Sequence, residues 1–334
     1  MRDISFFSGD TYLSLPTANN PKVILAVSNS KMARNSFILY NPFSFKAKLL
    51  KSISAFLFVN FNGLMRVLLK TKSHQKSDFI NYLEHKLNAE FSVSIYNATD
   101  KNKVVLQLLC ENEVYGYLKF PLNHVGIKNI KNEEKAIALL SGKDIVAPTI
   151  FADIYKETPY FILSELKGTI DILFDNAIES LLNQFKKEEK YKLKEHQRIT
   201  DLYANLEKLQ LESYKPKVES ILKKSTKHYF EVYEHGDFTP WNIVTTNKGL
   251  EPFDFEFFIE HGIEYFDLIK YHFQVGKLLK KKNPITLSDY IYDKIKVEEI
   301  KYLVALFLIK EIILLKQANE SYQFHDAMLN HICD

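Results

Sequence analysis

The stretch Glu234-His235-Gly236-Asp237-Phe238-Thr239-Pro240-Trp241-Asn242-Ile243-Val244, followed after a short turn by Phe253-Asp254-Phe255-Glu256, decides how the rest of the chain reads. Asn242 comes five positions after Asp237, and Asp254 twelve beyond that. Apolar, strand-like pieces bracket the loop, Phe230 to Tyr233 before it and Ile243 to Thr246 after it. Three oxygen-bearing side chains at this spacing suit phosphoryl transfer. One carboxylate takes the proton of an attacking hydroxyl, while an amide and a second carboxylate hold Mg²⁺ on nucleotide phosphates. Asp237 is the expected base, because a hydroxyl is a poor nucleophile until a carboxylate within hydrogen-bond reach positions it. Asn242 and Asp254 are the expected metal ligands, hard oxygen donors of the kind Mg²⁺ prefers. Each alone would read as a member of a polar turn; the spacing of the set carries the assignment.

The pattern H-G-D-x-x-x-x-N followed by D-F-E resembles the phosphotransferase enzyme family of aminoglycoside and choline kinases, small-molecule relatives of protein kinases. The resemblance covers roughly Phe91 to Phe273, leaving the first 90 residues outside. It implies an α+β, two-lobed protein-kinase-like fold with a small antiparallel β lobe and a larger helical lobe. It also implies ATP and Mg²⁺ as cofactors. By the same resemblance His235 supports the catalytic loop from behind. Asp267, in Gly262-Ile263-Glu264-Tyr265-Phe266-Asp267-Leu268, matches a G-x-x-x-x-D-L pattern with a structural role. The Ser164 carbonyl and the Leu166 N–H would meet adenine at the crossover Leu163 to Gly168.

Lys119 lies at the end of a predicted third strand, where a kinase keeps the lysine that holds the α- and β-phosphates. An inward-facing lysine between Leu118 and Phe120 needs an ionic partner. Glu133 is the expected one, since Ile130, Glu133, Ile137 and Leu140 share a helical face by three- and four-residue steps. Glu134 should face water. There are two departures from protein kinases: Tyr96 to Val104 contains no glycine, so no Gly-rich loop covers the phosphates, and D-F-E replaces D-F-G. No P-loop occurs anywhere in the chain.

Turn residues and periodicity order the rest. Val23 to Val27 and Ser36 to Tyr40 read as strands, Ser44 to Lys70 and Phe79 to Leu87 as helical. A three-strand meander is predicted over Phe91–Tyr96, Val104–Cys110 and Val114–Phe120, turning at Asn97–Asn102 and Glu111–Glu113. A helix over Asn129–Leu140 and strands over Thr149–Tyr155 and Tyr160–Leu166 follow. After Gly168 the chain reads as helical over Ile170–Lys186, Lys192–Gln210 and Glu212–Tyr229. Further helices are predicted over Glu264–Leu279, Leu287–Ile295, Val297–Gln317 and Ser321–Ile332. The domain division is therefore a basic N-terminal extension over 1–90, a β lobe with one helix over 91–166, and a helical lobe with the catalytic loop over 167–334.

With 334 residues, 46% apolar and 25% charged, the composition is that of an ordinary globular protein. Two distant cysteines, Cys110 and Cys333, form no disulfide framework and suit a reducing cytoplasm. No secretory signal is expected at the N-terminus. Leu50 to Leu69 is interrupted by Lys51, Asn60, Asn62 and Arg66, which argues against a membrane span. Thr11 to Ser77 carries ten basic residues and no acidic one. That segment is +10 against a whole-chain charge of +3, so the remainder sums to −7. A basic face of this kind suits a membrane surface or an anionic polymer, or simply solvent. Its aromatics Phe37, Tyr40, Phe56 and Phe58 read as core, and no nucleic-acid-binding signature is present.

The expected activity is transfer of the γ-phosphoryl group to a hydroxyl of a small molecule, such as a sugar, an aminoglycoside-like compound or a cell-envelope saccharide. The acidic residues between Glu179 and Glu219 are matched by lysines, so no charge signature selects a cationic acceptor. A catalytically silent nucleotide-binding relative, acting as a scaffold, is the alternative. The presence of Lys119, Glu133, Asp237, Asn242 and Asp254 together favours the enzyme.

Overall fold

The computed structural model describes residues 4–17, 19–40, 42, 45–69, 71–97, 102–173 and 175–333. It divides into two units: Met1–Ser141 with Val146–Lys167, and Gly142–Ile145 with Gly168–Asp334. Most of the predicted Asn97–Asn102 turn, and the ends of the Ser44–Lys70 segment, lie outside the described residues.

The first unit is built on one antiparallel sheet. Its strands are β1 (Thr11–Leu15), β2 (Val23–Ala26), β3 (Lys72–Ser73), β4 (Ser92–Asn97), β5 (Lys103–Cys110), β6 (Glu113–Pro121), β7 (Thr149–Tyr155) and β8 (Thr158–Leu163). They run in the order β3-β1-β2-β4-β5-β6-β8-β7. Residues 1–90, expected as an extension outside the lobe, thus supply three strands of the lobe's own sheet. The join is at β2 and β4, where Val23 pairs with Tyr96 and Ile24 with Ile95. Once β4 is formed its free edge has unpaired backbone groups, and an added strand satisfies them.

Helices α1 (Ser30–Ser36), α2 (Phe45–Asn60), α3 (Asn62–Leu68), α4 (Asp78–Leu87) and α5 (His124–Leu140) complete the unit. The strand expected over Ser36–Tyr40 is instead the end of α1 and a 3₁₀ turn at Phe37–Leu39. Asn29 starts that helix by accepting the Met32 N–H at 2.9 Å, and Met32, Ala33 and Ser36 are buried at helical spacing. Capping and packing outweigh the β propensity of Phe37-Ile38-Leu39. Alternation along β6 puts Leu118 and Phe120 in the core with Phe79 of α4, whose ring meets that of Phe120 at 5.0 Å. The same alternation turns Lys119 to the opposite face. Phe37 and Phe58 are buried as expected, but Phe56 is 60% exposed.

The second unit adds β9 (Gly168–Thr169), α6 (Asp175–Asn183), β10 (Lys186–Lys192), α7 (Gln197–Lys208), α8 (Lys215–Lys224), β11 (His228–Glu234), β12 (Ile243–Thr246), β13 (Gly249–Pro252), β14 (Ile259–Ile263), α9 (Phe266–Gln274), α10 (Pro284–Lys294), α11 (Ile300–Gln317) and α12 (Gln323–Cys333). Two small antiparallel sheets, β10-β11-β14 and β13-β12-β9, sit among the helices. Helix does not run through Ile170–Lys186 or Lys192–Gln210 as expected. Lys186-Lys187-Glu188-Glu189-Lys190-Tyr191-Lys192 is an edge strand whose partner, β11, is forty residues away. Its charged sequence has no apolar period to read, and the pairing that makes it a strand is tertiary. In α11 every residue from Leu303 to Ile313 is buried, as befits a helix apolar on all sides.

Candidate active site

In the first unit, Lys119 pairs with Glu133 as the shared helical face predicts. The ammonium donates to both carboxylate oxygens, at 2.6 and 2.8 Å, with Lys119 5% and Glu133 1% exposed. Val105 and Phe161 flank Lys119 on the neighbouring strands. Ile130, Ala136, Ile137 and Leu140 complete the buried face of α5. Glu134 is half-buried rather than in water, and burial raises its pKa. At the crossover β8 ends at Leu163, and Ser164 and Leu166 follow in irregular backbone, both half-buried. The Ser164 N–H donates to the Pro148 carbonyl at 3.1 Å.

In the second unit the loop after β11 is held by its own backbone. The His235 and Gly236 N–H groups donate to the two oxygens of Asp267, at 2.7 and 3.0 Å. Gly236 has φ +82°, and a Cβ on it would run into the Phe257 carbonyl. No other residue type fits there at low cost. Buried His235 accepts the Asp237 N–H on Nδ1 at 3.3 Å, so its proton is on Nε2, which donates to the Phe253 carbonyl at 3.0 Å. The imidazole therefore ties the Asp237 turn to the strand end that carries Asp254.

The β12–β13 hairpin brings the other two oxygen groups toward that turn. Ile243 pairs with Pro252, and the Phe253 N–H donates to the Asn242 carbonyl at 2.9 Å. The Asn242 side-chain amide donates to the Asp237 carbonyl at 2.9 Å and to its carboxylate at 3.0 Å. Its nitrogen thus engaged, Asn242 has Oδ1 to offer a cation. Asp254 stands at φ +69° in the left-handed region, a conformation that costs a non-glycine residue on the order of 1 kcal/mol. Such backbone persists where the surroundings enforce it, often at functional sites.

Behind the loop is a row of charges that sequence reading missed. Lys310 donates to Glu234, lies 3.9 Å from Glu311, and Glu311 accepts from Lys270 at 2.7 Å. The Lys270 ammonium then stands 3.8 Å from the Asp237 carboxylate. Signs alternate along the row, and Glu234, Lys310, Glu311 and Lys270 are all buried, while the Asp237 side chain is 32% exposed. Burial alone would lower the Lys270 pKa; Glu311 and Asp237 outweigh it and the net shift is upward. Burial alone would raise that of Glu311, and the two lysines hold it below the usual range. Burial, and behind it the Glu234 carboxylate, push Asp267 up to about 7 against the two amides and Lys310. One signal was available: Lys310-Glu311 interrupts an otherwise apolar run from Tyr302 to Leu315. Charges in such a run are buried only when paired.

A groove of about 380 Å³ in the same unit is lined by Asp267, Glu264, Tyr265 and Lys294 among others, but not by Asp237, Asn242 or Asp254.

No family model matches the chain, and no curated protein does. Solved structures similar to it include an ethanolamine kinase from Plasmodium vivax, at 12% identity and TM-score 0.48, covering 91% of this chain and 94% of that one. A macrolide 2′-phosphotransferase from Brachybacterium faecium is similar at 11% identity and TM-score 0.47, over 75% of this chain and 96% of its own. An aminoglycoside phosphotransferase from Streptomyces rimosus is similar at 11% identity and TM-score 0.42, over 71% and 98%.

Proposed function

We propose that the chain is an ATP- and Mg²⁺-dependent phosphotransferase that moves a γ-phosphoryl group to a hydroxyl of a small molecule, a sugar, aminoglycoside-like compound or cell-envelope saccharide. One observation carries this reading. The Asp237 carboxylate is partly open, while its other contacts are an amide and a buried cation and the loop beneath it is pinned through Asp267. A carboxylate held that way suits a general base for an incoming hydroxyl, worth about 10²–10⁴ in rate.

Asn242 and Asp254 are the oxygens suited to holding magnesium, which when bound would neutralise phosphate charge in the transfer. Their chemistry fits: both are hard donors, and this ion is commonly carried by one or two carboxylates together with the phosphates. Lys119, oriented by Glu133, would hold the α- and β-phosphates, and backbone at Ser164 and Leu166 would meet adenine. His235 and Asp267 position the loop and do not react.

Labelled ATP with magnesium, offered against aminoglycosides, choline or ethanolamine, free sugars and extracted envelope carbohydrate, tests the reading. Asp237→Ala is expected to lose transfer by about 10²–10⁴ while keeping its fold and most of its ATP affinity. Undiminished transfer by that variant would rule out Asp237 as the base.

A further inference from the structure

Helices α2 and α3 follow one another directly, and each has an anchored inner side and an exposed apolar outer side. On the inside Phe58 is fully buried with Val23, Leu25, Val27 and Phe37. The Arg66 guanidinium donates to the Ser28 carbonyl at 2.8 Å and to the Thr11 hydroxyl at 3.0 Å, and Asn62 donates to the Val27 carbonyl at 3.1 Å. These bonds fix α3 on β1 and β2, so the outer face has no freedom to fold inward. On that outer face Leu49, Ile53 and Phe56 of α2 and Phe61, Leu64 and Leu68 of α3 and its N-cap are 49% to 62% exposed. The Phe56 and Phe61 rings meet at 6.3 Å, which makes the two helices' patches continuous. A contiguous apolar patch on the order of several hundred Å² is uncommon on a soluble surface without a partner.

Charge selects the partner. The patch lies inside the segment from Thr11 to Ser77 that carries ten basic residues and no acidic one, and Lys46 stands one turn before Leu49 and Leu50 on the same stripe. A second copy docked face to face would bring two such cationic segments together, and like charges oppose that contact. A purely polar polyanion would satisfy the lysines but leave the leucines and phenylalanines in water. An anionic bilayer satisfies both, with apolar side chains in the headgroup–acyl boundary and lysines among acidic headgroups. α2 has 16 residues and α3 has 7, and no helix among the described residues is long and apolar enough to cross a membrane. The geometry points to an interfacial docking surface, formed by α2 and α3, for anionic lipid membranes. It stands apart from the phosphotransfer reading and is independent of Asp237.

Flotation of the full chain with vesicles tests this, using phosphatidylcholine alone and phosphatidylcholine with phosphatidylglycerol. Binding is expected to the anionic vesicles, weaker to the neutral ones, and falling as salt is raised from about 0.1 M to 0.5 M. Phe56→Ser with Leu64→Ser is expected to lower binding at least tenfold, since each loses one inserted apolar side chain. Lys46→Gln with Lys48→Gln should lower it roughly thirtyfold at low salt. Thermal melting of both double variants by circular dichroism should match the parent, because the altered side chains are exposed. Asp237→Ala should bind vesicles as the parent does. Absence of binding to anionic vesicles, or equal binding by the Phe56→Ser, Leu64→Ser variant, overturns the proposal. So does a dimer in sedimentation that this variant converts to monomer, which would assign the face to a second copy.

Discussion

Replacing Lys270 with methionine probes the charge row behind the candidate base. The ammonium stands 2.7 Å from Glu311, and the two residues are 9% and 6% exposed. With Lys270 gone, Glu311 keeps Lys310, at 3.9 Å, as its lysine neighbour among the described residues. A carboxylate stranded in this way costs about 3–5 kcal/mol, a large part of the roughly 5–15 kcal/mol that holds a domain folded. Lys270→Met with Glu311→Leu removes both charges and should return to within about 1–2 kcal/mol of the parent. Trp241, the chain's only tryptophan, lies between Asp237 and Asn242 and reports unfolding of this unit by fluorescence in urea. The single variant should shift the midpoint by about 1 M or more, and the double variant by much less.

The pH range follows from the directions of the shifts. Glu311 is held below its ordinary value of 4.5, so its contribution is present above that pH and fades as pH falls through the folded value. Lys270 is held above 10.5, so its contribution is complete below that pH and fades as pH rises through its folded value. The difference between parent and Lys270→Met should therefore stay level between about pH 5 and 10. A single-variant cost under about 1 kcal/mol, or a double-variant cost equal to the sum of the two singles, would refute a buried, mutually dependent pair.

Three further outcomes are expected. Gly236→Ala forces a side chain into positive φ and against the Phe257 carbonyl, so it should destabilise by more than about 1 kcal/mol and blunt transfer, read by Trp241 fluorescence and the labelled-ATP assay. Asp254→Asn keeps an oxygen and tolerates the left-handed conformation but loses charge; magnesium-dependent binding of a non-hydrolysable ATP analogue should weaken in calorimetry with little change in melting. Burial pushes His272 and His325 down to about 4, with Asp175 opposing at His272 and Lys277 adding at His325. Both stay neutral in the fold while the unfolded chain takes protons near 6.5, so stability is lost as pH falls from 6.5 toward 4. By pH 5 each should cost about 2 kcal/mol, and His325→Leu should flatten half of that slope in urea titrations.

The sequence alone determined those parts whose causes are local. The turn at Glu111–Glu113 and the face shared by Ile130, Glu133, Ile137 and Leu140 follow from neighbours a few residues apart. Only tertiary structure decided the rest. Lys186–Lys192 is a strand because β11 is there to pair with it, residues 11–26 join the sheet because β4 offers an edge, and Phe56 is outside because Phe58 took the buried side of α2. Glu234, Lys270 and the adjacent pair Lys310-Glu311 are separated by tens of residues, and nothing local brings the three together. They form a row because α9, α11 and β11 converge, and a buried charge is tolerable only where another element supplies its opposite.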